Sequence, residues 1–156
     1  MFRFTKLASL VAALVVATPA LAGPPWIKIE LGGNPYDRDT RDAFLVVHAF
    51  HHGTPTAFPV TGTAEGVVNG ERRTIPLTLT KTSREGAFAL AKQWPAEGRW
   101  VLALSVTQAR DDAVTAIVRL AATGEFESFK VLTRHGENGM LFPRALTKQD
   151  IADALK

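Results

Sequence analysis

The chain contains no cysteine. Disulfide staples, thiolate metal ligands, thiol nucleophiles and covalent haem attachment are all excluded, and packing alone must hold the fold. A strong excess of one charge is missing too. The basic residues are scattered, with no aromatic-studded stripe, so nucleic acid is not an expected partner. Beyond residue 22 no apolar run approaches the roughly 20 residues that cross a bilayer, so no membrane span is expected there. Catalytic signatures are also lacking. There is no Gly-x-Ser-x-Gly elbow, no His-Glu-x-x-His and no phosphate loop, and Ser83, Ser105 and Ser128 have no sequence neighbour to act as a base. The sequence therefore does not read as an enzyme, and no cofactor is expected.

What is present begins with a leader. Arg3 and Lys6 precede an apolar stretch, Leu7–Ala17, which Pro19 breaks. Ala20 and Ala22 are the small residues that a signal peptidase requires, so residues 1–22 read as a secretory signal cleaved before Gly23. The mature chain is expected to be periplasmic or secreted. The formal charge of +3 includes Arg3 and Lys6. Their removal leaves the remainder close to neutral.

The mature part reads as short strands between turn signals. Residues 26–31 alternate, and residues 43–50 (AFLVVHAF) are apolar on both faces, as in a strand between two layers. Residues 60–68 and 71–80 flank Asn69-Gly70, a strong hairpin signal. Pro76 cannot donate to a ladder, which places its strand at a sheet edge. Residues 87–93 and 99–107 flank the turn 95–98, and Trp100, Leu102, Leu104 and Val106 share one face of the second. Further strands are expected over 113–121 and 125–132. These eight segments predict an all-β antiparallel sandwich over residues 23–135.

Residues 136–156 read as a tail carrying a short helix, 148–155. Thr147 is its N-cap, Asp150 completes a capping-box-like pair, and Leu146 and Ile151 occupy staple positions. Ile151, Ala154 and Leu155 form one narrow apolar stripe that needs a surface to dock on, either its own sandwich or a partner.

The segment Gly86-Ala87-Phe88 through Trp94-Pro95-Ala96-Glu97-Gly98-Arg99-Trp100-Val101-Leu102 resembles periplasmic immunoglobulin-like modules of the YtkA-like and FixH-like kind. The resemblance implies an immunoglobulin-like sandwich of about seven to eight strands. In it Trp100 takes the place of the corner aromatic and Leu102 the core position two residues on. Trp lacks a hydroxyl, so the usual corner hydrogen bond needs another donor. Related CopC-like sandwiches bind copper through a histidine near the mature N-terminus; Gly23-Pro24-Pro25 has none.

Three residue sets are candidate sites. His48, His51 and His52, with His135 and the nearby Glu137, are the candidate metal ligands, copper being the expected ion, since imidazoles suit late transition metals. In a continuous strand His48 and His51 would face opposite ways. His48 and His52 would stand about 13 Å apart, so convergence requires the chain to turn back near Phe50. Asn34, Asp37, Asp39 and Asp42 offer oxygens for calcium, but Arg38 and Arg41 are interleaved among them. Trp26, Trp94 and Trp100 offer a carbohydrate platform, with Trp94 expected to be exposed at its turn and Trp100 in the core. The leading expectation is a non-catalytic exported module that binds a protein or envelope component. Copper handling and carbohydrate binding are the alternatives.

Overall fold

The computed structural model describes residues 23–156. The leader read over residues 1–22 lies outside the described residues. The strands are β1 (Trp26–Leu31), β2 (Leu45–His51), β3 (Thr54–Pro55), β4 (Val60–Val68), β5 (Glu71–Leu77), β6 (Thr80–Lys81), β7 (Ala87–Leu90), β8 (Arg99–Ala109), β9 (Asp112–Leu120), β10 (Phe126–Val131), β11 (Thr133–His135) and β12 (Leu141–Pro143). One helix, α1 (Lys148–Ala154), follows.

Two antiparallel sheets form the sandwich. One has the order β1-β2-β7-β6, with β3 paired to β2, and the other has the order β10-β9-β8-β4-β5. Lettered as in immunoglobulin domains, these orders are A-B-E-D and G-F-C-C′, with β10 added beside the last strand. Each of the eight expected segments contains a strand. The helix is where the capping box placed it.

The core between the sheets takes alternate residues of each strand. Leu45, Val47 and Ala49 from β2 meet Trp100, Leu102, Leu104 and Val106 from β8 and Val114, Ala116 and Val118 from β9. The other face of β8 is buried as well, because α1 docks there. Ile151 and Leu155 pack on Val101, Ala103, Ile117 and Leu132. The helix therefore docks on its own domain. Arg99 fastens its end, donating from Nη1 to the Leu155 carbonyl at 2.7 Å.

The start of the helix is fixed by charge. Arg144 donates to both oxygens of Asp150, at 2.7 and 2.6 Å. Asp150 also accepts from the Thr147 backbone N–H, while the Thr147 hydroxyl accepts from Asp150 N–H. The Leu146 staple is partial, since that side chain stays exposed. The hairpin of β11 and β12 spans residue 135, and Leu132 just before it is buried beneath the helix. Within residues 136–156 the helix, through Ile151 and Leu155, is the part packed on the domain.

Three details differ from the sequence reading. The run 71–80 is not one strand: β5 lies in one sheet and β6 in the other. Gln93 holds the crossing, accepting from Thr78 N–H at 2.9 Å and donating to Thr78 O at 2.7 Å, as a neighbouring strand would. Because Gln93 serves that crossing, β7 stops at Leu90 instead of reaching residue 93. Trp94 is not exposed. It is 4 % accessible and meets Phe44 edge to face at 5.2 Å between centroids, closing the core at that end.

Other expectations hold. Asn69 and Gly70 both have positive φ, 52° and 83°, as a tight two-residue hairpin turn requires. Pro76 does sit on an edge strand, β5. The corner bond is made by nitrogen: the Trp100 indole N–H donates to the Glu97 carbonyl at 2.8 Å. Gly66 on β4, paired to Trp100, is what makes room for the ring. A Cβ there would stand 2.3 Å from the indole.

Two measurements check this packing. Gly66→Ala should destabilise by about 1–3 kcal/mol through overpacking, and Trp94→Ala by about 3–5 kcal/mol as a core deletion. Urea midpoints that leave Trp94→Ala close to wild type would place that ring outside the core. The second measurement is pH. Arg144 and Thr147 hold the Asp150 carboxyl well below the usual carboxylate range. Its contribution is therefore complete above the unfolded value of about 3.9 and is lost as pH falls below it toward the lower folded value. Asp150→Asn should flatten that acid limb of the stability profile, and an unchanged limb would contradict the assignment.

Candidate functional site

The four candidate histidines are distributed over three places. His48 lies on the outer face of its sheet, where β2 pairs with β1, and its Nε2 is 2.8 Å from Glu30 Oε2. Its ring also stacks on Phe50, two residues along the same face. This is the partner that a histidine in so apolar a strand needs, and it is local. His135 is on the separate β11–β12 hairpin, paired with Leu141. The four do not form one centre. Among the described residues, no three His, Asp or Glu side chains come together in a group that could hold a metal ion.

His51 and His52 do converge, in the way that a reversal of the chain allows. β2 ends at His51, and β3 folds back on it, with Phe50 opposite Pro55 and His51 opposite Thr54. The reversal is made by two consecutive residues of positive φ, His52 at 50° and Gly53 at 78°. Neighbours on a strand point to opposite faces, but this turn brings the two rings to 4.2 Å between centroids. They do not meet His135. They meet Gly23, whose carbonyl lies 3.0 Å from His51 Nε2. The His52 ring lies over the same residue, since a Cβ on Gly23 would stand 3.2 Å from His52 Cε1. Phe58 meets the His51 ring at 5.8 Å.

The acidic loop between β1 and β2 is occupied with itself. Asn34 accepts from Tyr36 N–H, Asp37 from Asp39 N–H, and Asp42 pairs with Arg41. Asp39 accepts from Ser83 N–H at 2.7 Å, and Asp37 lies 3.6 Å from Arg84. The hydrogen bonds from Ser83 lower the Asp39 carboxyl below its usual value. These links tie the loop to the β6–β7 turn, across the outer face of its sheet. The oxygens considered for calcium thus have partners in the fold.

The three tryptophans separate into two roles. Trp94 and Trp100 belong to the core, and Trp26 is 39 % accessible. No multi-ring carbohydrate platform is assembled from them. Trp26 instead borders a cleft of about 520 Å³ with Ile27, Lys28, Phe50, Gly53, Phe129 and Val131. The cleft lies between β1 and β10, where the open edge of one sheet meets the open edge of the other. Sequence reasoning missed it because its walls come from strands more than 70 residues apart in the chain. The signal available was Trp26, apolar on the face of β1 that also carries Lys28 and Glu30, and Phe129, a large ring left exposed on the edge strand β10.

The local role of His48 has a simple check. His48→Ala should cost about 1–2 kcal/mol of stability through loss of the Glu30 bond and of packing, while His135→Ala should cost less than about 0.5 kcal/mol. Chemical denaturation of both variants tests this, and an equal loss in the two would contradict it. Set against known proteins, the chain matches no family model, no curated protein and no solved structure.

Proposed function

We propose that the protein is an exported, non-catalytic module that binds an extended segment of a partner protein in the cleft between β1 and β10. The observation that carries this reading is the contrast among the four sheet edges. β6 is only two residues long. β5 carries Pro76 and begins with Glu71-Arg72-Arg73, which discourage pairing. The flank of β1 and β10 is neither that short nor broken by proline, although Lys28, Glu30, Glu127 and Lys130 stand among its apolar residues. It presents six-residue strands and the exposed rings of Trp26 and Phe129 around a cleft. An unpaired strand beside an apolar cleft suits strand addition: main-chain hydrogen bonds give affinity, and a cleft for alternate side chains gives selectivity.

The exported location rests on the three-part leader, and the immunoglobulin-like resemblance supports a binding scaffold without naming a ligand. Ser105 bonds the Thr115 hydroxyl at 2.7 Å rather than a histidine.

A displayed library of random decapeptides, selected on the folded chain beginning at Gly23, tests the proposal. Enriched peptides should carry alternating apolar residues and should lose binding to a Trp26→Ala/Phe129→Ala double variant by about tenfold or more, as aromatic anchors of an interface do. Enrichment that the double variant leaves intact would overturn the assignment to this cleft. Absence of peptide binding together with Trp26-dependent retention on a glycan array would replace it with carbohydrate recognition.

A further inference from the structure

The cluster around Gly23 has a chemistry that no side chain there reveals alone. In the full chain the Gly23 nitrogen is an amide, which is a poor metal donor. Cleavage before Gly23 would turn it into a primary amine, on the residue whose carbonyl meets His51 and which lies beside the His52 ring. We infer that removal of the leader completes a binding site for a divalent late transition metal, best suited to Cu²⁺, made of the Gly23 amine and carbonyl with His51 and His52. The inference rests on the processing read from the sequence and is independent of the peptide cleft.

Four observations support it. The first is spacing. Two ligands at right angles on one ion, each about 2.0–2.1 Å from it, stand about 3 Å apart. His51 Nε2 and the Gly23 carbonyl oxygen are 3.0 Å apart. The second is convergence. His52 adopts a left-handed conformation that few non-glycine residues take, and its ring lies 4.2 Å from that of His51 between centroids, with Cε1 toward Gly23, so that a turn of the ring would bring a nitrogen to the site. The third is chelation. Amine and carbonyl of one residue close a five-membered ring on a metal. Pro24 has no N–H, so its nitrogen cannot be deprotonated to become a competing ligand, and Gly23 keeps the amine–carbonyl mode. The fourth is support. Pro25 is buried, and the Pro24-Pro25 pair leads stiffly into β1. The Gly23 carbonyl is therefore held beside the histidines. Three nitrogens and one oxygen in a tetragonal set favour Cu²⁺ over Zn²⁺.

The donor set also explains why the histidine pattern alone was misleading. His48 and His135 are not part of it, and the third nitrogen is on the main chain. Before processing the site would lack that donor, so metal uptake would be confined to the exported form.

The test compares chains of defined N-terminus. One begins at Gly23, released from a fusion by a protease that leaves glycine first. The second retains Leu21-Ala22 ahead of it. The third and fourth begin at Gly23 and carry His52→Ala or His48→Ala. Each is titrated with Cu²⁺ by calorimetry, and nitrogen coupling is read by electron paramagnetic resonance. One-to-one binding is expected for the first and the His48→Ala chain. The extended chain and His52→Ala should bind at least about 100-fold more weakly, since even outer-shell changes at metal sites cost roughly 10–100-fold. Equal affinity in the first two chains, or no effect of His52→Ala, would overturn the site. Circular dichroism of His52→Ala separates loss of ligand from loss of fold. The mass of the chain recovered from the periplasm of an expressing bacterium reports processing separately. Cleavage elsewhere would refute the leader reading and leave the donor geometry to be judged by the titration.

Discussion

The seat of the Trp100 indole organises this domain. The ring needs a gap in the opposing strand, which Gly66 supplies, and its one polar atom needs an acceptor, which the Glu97 carbonyl supplies. Both conditions fix β8 in register with β4, because a shift of one residue would turn the indole to the other face. With the register set, Leu102, Leu104 and Val106 point into the sandwich, and Val101 and Ala103 point out toward α1. β8 and its neighbour β9 are thus covered by a second sheet on one face and by the helix on the other. That arrangement lets a cysteine-free domain do without a staple between its sheets.

The consequence falls on the opposite sheet and on the flank. The helix spends the apolar surface of the C-terminal segment on β8 and β9, so that segment cannot cover the seam between β1 and β10. The loop after β1 is committed elsewhere too, tied through Asp37 and Asp39 to the β6–β7 turn. What stays open is the side where Trp26 and Phe129 lie, and Gly23, His51 and His52 lie at the end of β1 next to it. Peptide recognition and metal uptake, if both operate, would occur at one end of the molecule.

Much of this was legible in the sequence where one period or one motif decided it. The strands 26–31 and 60–68 have the expected bounds, and Asn69-Gly70, Thr147 with Asp150, and the corner at Trp100 are local signals. Segments failed where a distant residue made the decision. Gln93 moves Thr78–Lys81 into the other sheet, and Phe44 draws Trp94 inward although a turn follows it at once. The site was partly legible for the same reason. A histidine pair beside a reversal of the chain was foreseeable, but its meeting with Gly23 depends on a pairing across more than 20 residues, and a main-chain donor has no signature in the sequence.

The account turns on how the three tryptophans are divided, two sealed in the core by the corner and its neighbour, one left on the open flank. Quenching of fluorescence by acrylamide and iodide in the folded chain measures that division directly. One class of accessible emission is expected, and it should vanish in Trp26→Phe while the remaining emission stays protected until the domain unfolds. A second accessible tryptophan, or accessible emission that survives Trp26→Phe, would contradict the packing from which the cleft is argued.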